Sequence, residues 1–161
     1  VQKGQKGWDK IILLLIFLVG ISLYVVPGFD VIRFGWSDPF PQWIQIVALV
    51  VHIPCFLFLG WVMLANTYLS QVVKIDHDRE HHVITGGPYA IVRHPMYSVV
   101  IVLSVAFPGA LGSRYGLIPA IAIAALLILR TILEDRTLHS ELPGYPEYSN
   151  KTRYRLLPGV W

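Results

Sequence analysis

The residues best suited to chemistry lie in one short stretch, residues 86–97. This stretch holds two glycines, two prolines, two tyrosines, an arginine and a histidine, and it leads into an apolar run. Because His94 precedes Pro95, it is biased away from the helical conformation, whereas Pro95 suits the first position of a helix. The unpaired N–H groups at that helix end, the helix dipole and adjacent Arg93 favour an anion such as a carboxylate or phosphate.

Groups on either side extend this anion site. The turn Gly86–Pro88 allows a backbone to approach a ligand closely, and Tyr89 and Tyr97 supply flat surfaces with a hydroxyl. Further along the chain, Glu134 and Asp135 accept hydrogen bonds from an amine or from ribose hydroxyls. Together these side chains predict a site for a zwitterionic, nucleotide-like molecule.

The composition indicates that a membrane positions these groups. Hydrophobic residues make up 55% of the chain and charged residues 14%, against about 25% charged in soluble domains. Runs of about 20 apolar residues can cross a bilayer. Those that cross or nearly cross one are Ile11–Val26, Trp43–Leu69, Pro95–Leu111 and Leu117–Leu133. We therefore expect a single all-α integral membrane domain over residues 1–161, with about four transmembrane helices.

Two details of these runs carry further expectations. The first run is preceded by lysines like a signal peptide, but Pro27-Gly28 ends it without a small-residue cleavage site, so it is interpreted as a retained helix. The third and fourth runs are separated only by residues 112–116, and so short a connection predicts an antiparallel helical hairpin.

Basic residues are distributed unevenly between the two ends of the predicted helices. Four crossings place the N-terminus, the loop Ser70–Arg93 and the C-terminal tail on one side. Eleven of the 13 lysines and arginines fall there, and only Arg33 and Arg114 fall on the other. By the positive-inside rule, both termini and the loop face the cytoplasm. The expected location is the bacterial inner membrane.

The C-terminal tail is the second polar region, on the same side as the loop. We expect the fourth helix to continue through Glu134 into the cytoplasm and to break at Pro143-Gly144. Tyrosines and basic residues then alternate up to Arg155, a pattern that suits either the headgroup boundary or a segment folded back over the loop. Both alternatives remain open at this point.

The two polar regions together resemble a known family. His81, Thr85, Gly87 and Tyr89 followed by Arg93-His94-Pro95-Met96-Tyr97 are similar to the cofactor motif of the isoprenylcysteine carboxyl methyltransferases and the related phospholipid methyltransferases. In the tail, the acidic pair Glu134-Asp135, Tyr145-Pro146-Glu147-Tyr148 and Tyr154-Arg155-Leu156-Leu157-Pro158 match as well. The resemblance spans roughly residue 66 to the C-terminus.

This resemblance implies an integral membrane methyltransferase that uses S-adenosylmethionine, with a cytoplasmic loop and tail that form the cofactor pocket. It implies a lipophilic or amphipathic acceptor, a small molecule or lipid bearing a carboxylate, amine or thiol, that arrives from the bilayer. The implied cofactor-binding residues are His81, His82, Val83, Ile84, Gly87, Tyr89, Arg93, His94, Pro95, Met96, Tyr97, Glu134 and Asp135. The residues assigned to catalysis are Glu134, Arg155 and Arg153, with either arginine as partner of an acidic acceptor.

Other functions remain open. Membrane sterol reductases carry a similar C-terminal pattern and bind NADPH, and a non-catalytic membrane protein on the same helices is a third possibility. His77 and His81 have helical i, i+4 spacing, but no cysteine or further fixed ligand accompanies them, so no metal is expected. Basic residues are not clustered with exposed aromatic residues on a soluble face, which gives no support for nucleic-acid binding.

Overall fold

The computed structural model describes residues 6–66 and 83–161, and within them every regular element is helical. The α-helices are α1 (Gly7–Pro27), α2 (Gln42–Ala65), α3 (Pro95–Leu111), α4 (Leu117–Glu141) and α5 (Tyr145–Lys151). A π-helical segment, Gly28–Phe34, continues α1, and a 3-10 turn, Gly87–Ala90, precedes α3.

The lengths of these helices suit a bilayer. Helix α1 with its π-helical extension, α2 and α4 are long and apolar enough to cross one. Helix α3 is apolar and has 17 residues, which is about 26 Å at 1.5 Å per residue and close to the ~30 Å hydrocarbon core. The predicted all-α membrane fold is confirmed.

Local sequence signals explain where α3 and α4 begin and end. Helix α3 begins at Pro95, as predicted, and ends at Leu111 because Gly112 adopts a left-handed conformation with φ of 81°. Helix α4 begins at Leu117 and runs on to Glu141 before the break at Pro143-Gly144. The predicted hairpin and the predicted continuation of the fourth helix are both confirmed.

Two predicted boundaries were wrong. Pro27 does not end the first helical segment: its φ of −60° and ψ of −36° are helical, and the chain continues in wider π-helical turns to Phe34. Helix α2 ends at Ala65 rather than Leu69, because Asn66 adopts an extended conformation with φ of −117° and ψ of 97°. The Asn66 side chain instead donates a hydrogen bond to Tyr89 Oη at 2.8 Å.

Polar contacts at one end of the bundle bring four helix ends together. Lys6 Nζ lies 2.6 Å from Glu141 Oε1, joining the start of α1 to the end of α4. Tyr97 Oη donates to Glu134 Oε2 at 2.7 Å, joining the first turn of α3 to α4. Asn66, at the end of α2, reaches the tyrosine of the 3-10 turn. This end is called the site end below.

The opposite end is closed by a buried aspartate. Asp30, in the π-helical segment, accepts hydrogen bonds from the backbone N–H and the hydroxyl of Ser37, both at 2.9 Å. It also accepts from Ser113 Oγ at 2.7 Å and from the backbone N–H of Tyr115 at 3.3 Å. The extension of α1 is thereby tied to the loop between α3 and α4. Because α1 and α3 begin at the site end whereas α2 and α4 finish there, consecutive long helices run antiparallel.

The interior of the bundle lies between α1, α3 and α4. Helix α2 packs against α3, α3 against α4, and α4 against α1. One cluster of buried core residues consists of Leu23, Tyr97, Ala120, Ile123, Leu127 and Leu156. Leu156 comes from the C-terminal tail, and the Arg93 N–H donates to the Tyr154 carbonyl, so the tail folds back against the start of α3 and the last residue of the loop. Large apolar side chains of α1 and α2 remain exposed on the outside, as expected for helices that face lipid.

Candidate functional site

Tyr97 and Glu134 form the centre of the site end. Tyr97 lies in the first turn of α3, which Pro95 begins because its missing N–H is not needed there. The Tyr97 ring is buried and stacks parallel to the His94 ring, with centroids 5.8 Å apart. Its hydroxyl donates to Glu134 Oε2 at 2.7 Å. This bond fixes one oxygen of a carboxylate that remains half-buried.

Asp135, the neighbour of Glu134, lies at the centre of a buried ion cluster and accepts its hydrogen bonds. Tyr145 Oη donates to its Oδ1 at 2.7 Å, and Arg155 Nε donates to its Oδ2 at 2.9 Å. Arg93 Nε and His94 Nε2 lie 3.4 and 3.5 Å from the same Oδ1. Neither nitrogen has hydrogen-bond geometry toward any group in the described part of the chain. The contact of Arg93 with Asp135 is therefore electrostatic, as between ions at close range.

The C-terminal tail is held against the start of α3 by its backbone. The N–H groups of Arg93 and His94 donate to the carbonyls of Tyr154 and Arg155, each at 2.9 Å. Ser98 Oγ donates to the carbonyl of Leu156 at 2.6 Å. These bonds use donors near the start of α3 that have no partner within the helix, and they bring Arg155 to Asp135.

The 3-10 turn forms the third side of the site end. Tyr89 Oη accepts from Asn66, and the Tyr89 carbonyl accepts from Tyr148 Oη of α5 at 2.7 Å. Burial raises the pKa of both tyrosines above their ordinary value of 10.0, so both hydroxyls stay protonated at neutral pH. Gly87 has φ of 59°, and a Cβ there would lie 3.4 Å from Trp61 Nε1.

The charges of the site end are separated. Two arginines, Arg93 and Arg155, contact the single carboxylate of Asp135, so this cluster has an excess of positive charge. Glu134 lies next to it and bears the opposite charge, with Tyr97 as its hydrogen-bond donor. Such an arrangement suits a ligand that carries both an anionic and a cationic group.

Six of the 15 site residues that the sequence singled out are brought together. Arg93, His94, Tyr97, Glu134, Asp135 and Arg155 meet within one set of contacts. Tyr89 and Gly87 line the adjoining turn. Arg153 has an exposed side chain, and its carbonyl accepts from Arg93 Nη2 at 3.5 Å.

Other predicted site residues either pack among apolar side chains or lie outside the described residues. Pro95 is fully buried and Met96 packs against the bundle core. Val83 contacts the apolar cluster at the start of α5, and Ile84 is half-buried. His81 and His82, like His77, lie outside the described residues. Among the residues described, no three His, Cys, Asp or Glu side chains form a metal-binding group.

Two charged residues that the sequence interpretation did not single out belong to this site end. Asp9 of α1 is fully buried, and Arg130 of α4 donates to it from Nε at 3.0 Å. The Arg130 guanidinium lies 5.3 Å from the centroid of the Tyr97 ring. A signal for Arg130 was present: it precedes Glu134 by one helical turn, so both occupy one face of α4. For Asp9 the signal was an acidic residue separated from the first apolar run only by Lys10.

Comparison with known proteins gives one family and one relative. Residues 46–140 match the model of the "Isoprenylcysteine carboxyl methyltransferase (ICMT) family". The chain is also 32% identical over 104 residues to the "Cobalt-zinc-cadmium resistance protein CzcN" of Cupriavidus metallidurans. That alignment covers 62% of this chain and 48% of the relative, so the chain spans about half the length of the curated relative it matches. The family match includes α3 and most of α4, which carry Tyr97, Glu134 and Asp135.

Proposed function

The chain belongs to the isoprenylcysteine carboxyl methyltransferase family, and on this premise we propose that it is a membrane methyltransferase that uses S-adenosylmethionine. The acceptor is a small lipophilic or amphipathic molecule, or a lipid, with a carboxylate, amine or thiol as the methylated group. Both termini and the site end face the cytoplasm, where the donor is dissolved.

The observation that carries this proposal is the contact between Tyr97 and Glu134. The two residues are 37 positions apart in sequence and lie on different helices, yet their side chains are joined at 2.7 Å. The bond orients a half-buried carboxylate at the end of the bundle. A carboxylate held in this way attracts a cationic ligand group, such as a sulfonium or an ammonium, more strongly than in bulk water because the surrounding dielectric is lower.

The methyl donor is an amino-acid zwitterion attached to a nucleoside, and the site end also suits its carboxylate. The surplus positive charge of Arg93 and Arg155 over Asp135 favours a carboxylate. The buried Arg93 Nε, which makes no hydrogen bond within the described part of the chain, retains the capacity to donate. The charge of the ligand is therefore opposite to the charge of the protein at both places.

The donor supplies an electrophilic methyl group on a positively charged sulfur. When the acceptor oxygen, nitrogen or sulfur forms its bond to that carbon, the C–S bond breaks and its electron pair stays on sulfur as a neutral sulfide. The chain's own contribution is position: Glu134 holds the cation in place for the acceptor. A carboxylate acceptor needs no base, whereas an amine or thiol must lose a proton before it attacks.

The two arginines assigned to the acceptor have different surroundings. Arg155 is engaged by Asp135, and its guanidinium lies 5.1 Å from the centroid of the Trp161 ring. Arg153 presents an exposed side chain on the same tail. We therefore assign contact with an acidic acceptor to Arg153, and assign to Arg155 the positioning of Asp135.

Calorimetric titration of the detergent-purified protein with S-adenosylmethionine, S-adenosylhomocysteine and NADPH tests the proposal. We expect saturable binding of the first two and none of NADPH. The variant Glu134→Gln loses the carboxylate charge, and we expect affinity for the donor to fall about 10- to 100-fold, the usual value of a hydrogen bond to a charged group. A greater loss for the sulfonium donor than for its neutral product would place Glu134 beside the sulfur.

Glu147→Gln is the matched control. Glu147 is an exposed carboxylate in the first turn of α5, and its loss should leave both affinities unchanged. Binding of NADPH in place of the adenosyl ligands would assign the protein to the reductases. Absence of binding to all three ligands by a folded sample would remove the enzyme interpretation.

A further inference from the structure

The buried ion pair between Asp9 and Arg130 joins α1 to α4 at the site end. The Asp9 side chain is fully inaccessible and Arg130 is 4% exposed. Arg130 Nε donates to Asp9 Oδ1 at 3.0 Å. A carboxylate in the first turn of a helix is favoured by the helix dipole. Complete burial nevertheless requires a charged, hydrogen-bonded partner, because desolvation of a lone carboxylate is unfavourable.

The same arginine contacts the proposed donor site. Its guanidinium lies 5.3 Å from the Tyr97 ring centroid, within the range of a cation–π interaction. The Tyr97 hydroxyl in turn donates to Glu134 Oε2. A continuous set of contacts therefore leads from Asp9 on α1, through Arg130 on α4 and Tyr97 on α3, to the Glu134 carboxylate.

Stability alone is a weak explanation for this pair. Buried ion pairs are often no more stable than apolar residues of the same volume, because desolvation offsets the attraction between the charges. Helix α1 is also held to α4 by other means, through Leu23 in the core and through the exposed pair of Lys6 with Glu141. The distinguishing property of the buried pair is its position beside Tyr97.

We propose that α1 is part of the active centre, with Asp9 as a positioning residue. Asp9 holds the Arg130 guanidinium against the Tyr97 ring, and this fixes the direction in which Tyr97 presents its hydroxyl to Glu134. Helix α1 lies outside residues 46–140, which match the family, so this contribution is one that the family match does not assign. The inference rests on the proposed donor site.

The test compares two variants that each remove one ion pair between α1 and α4. Asp9→Asn removes the buried pair, and Glu141→Gln removes the exposed one. We expect affinity for S-adenosylmethionine to fall about tenfold or more in Asp9→Asn, as when groups that orient metal ligands are removed. Affinity should stay unchanged in Glu141→Gln and be partly restored in Asp9→Glu. Unchanged affinity in a folded Asp9→Asn sample would overturn the inference.

Arg130→Lys covers the case in which Asp9→Asn does not fold. Lysine retains the charge but not the planar guanidinium that lies against Tyr97, so weaker donor binding is again expected. Wild-type affinity in this variant would contradict the positioning role.

A double-mutant cycle separates this inference from the proposed function, because it needs no ligand. The thermal stabilities of Asp9→Asn and Tyr97→Leu should be coupled, whereas those of Glu141→Gln and Tyr97→Leu should add. If the wild-type protein binds no donor, the proposed function fails while the cycle still measures the link. Additivity in both cycles would overturn the link itself.

Discussion

At the scale of single residues, Glu134 and Asp135 show how two neighbouring acids acquire different roles. Consecutive residues of a helix point about 100° apart, so the two carboxylates enter different environments. Asp135 is buried, and both of its oxygens accept hydrogen bonds. Glu134 is half-buried and uses one oxygen on Tyr97. Of the two, Glu134 is the carboxylate better placed to meet a ligand, and Asp135 is the one that assembles the tail, loop and helix around it.

Tyr145 provides a test of the Asp135 cluster. Burial, the Asp135 charge and the hydrogen bond between them raise the pKa of Tyr145 above its ordinary value of 10.0. The neutral hydroxyl thus stabilises the fold below pH 10, and this contribution is lost as the pH rises above that value, because the unfolded chain then releases the proton first. Tyr145→Phe should lower the free energy of unfolding by about 1.5–3 kcal/mol at pH 7.

The measurement is thermal unfolding in detergent at pH 7, 9 and 11. The difference between wild type and Tyr145→Phe should be largest at pH 7 and 9 and smaller at pH 11. Tyr154→Phe, at an exposed tyrosine, should match wild type throughout. A difference that stays constant up to pH 11 would contradict the coupling to Asp135.

At the scale of elements, the 3-10 turn determines how α2 meets the site. Helix α2 packs against α3 and against the turn. A Cβ at Gly87 would lie 3.4 Å from Trp61 Nε1 and 3.5 Å from Ala65 Cβ, which is ordinary van der Waals contact, so lack of space does not require a glycine at Gly87. Its φ of 59° is in the left-handed region, which other residues adopt at a cost.

Gly86 and Gly87 are adjacent but differ in the sign of φ, so alanine substitutions at the two positions form a matched pair. Gly87→Ala should lower the free energy of unfolding by about 1–2 kcal/mol, because alanine is strained at positive φ. Gly86→Ala should have little effect or a stabilising one, since Gly86 has φ of −97° and open space around its Cβ position. Thermal unfolding of both variants decides the matter, and equal midpoints would contradict the role assigned to Gly87.

At the scale of the whole molecule, the polar contacts between helices show which helix ends lie together. The distribution of lysines and arginines predicts on which side of the membrane those ends lie. The site end gathers the starts of α1 and α3 with the ends of α2 and α4. Eleven of the 13 basic residues belong to that side by sequence. The positive-inside rule then orients the proposed donor site toward the cytoplasm.

Cysteine labelling in intact bacterial cells tests this orientation. Cys55, the single cysteine, is first replaced by serine, and one cysteine is then introduced at exposed Asp38 or at exposed Asn150. A membrane-impermeant maleimide should label Asp38→Cys from outside, and should label Asn150→Cys only after the cells are permeabilised. The opposite pattern would invert the proposed topology.

The sequence by itself determined the features that depend on local chemistry. The high hydrophobic fraction and the length of the apolar runs predicted a helical membrane protein, because the backbone of a spanning segment must satisfy its hydrogen bonds internally. Pro95 predicted the start of α3 to the residue, since proline fixes φ and lacks the N–H that a first helical position does not use. Part of the site end was also predicted, because Arg93, His94, Tyr97, Glu134 and Asp135 fall in two short stretches of the sequence.

Only the tertiary structure decided the contacts between distant residues. Asp9 and Arg130 are 121 positions apart, and Ser98 and Leu156 are 58 apart; no helical periodicity links such pairs. Likewise, the hydrogen bond from Asn66, the residue after α2, to Tyr89 joins residues 23 positions apart. Sequence patterns report the face of a helix on which a residue lies, but the partner opposite that face is set by how the helices pack.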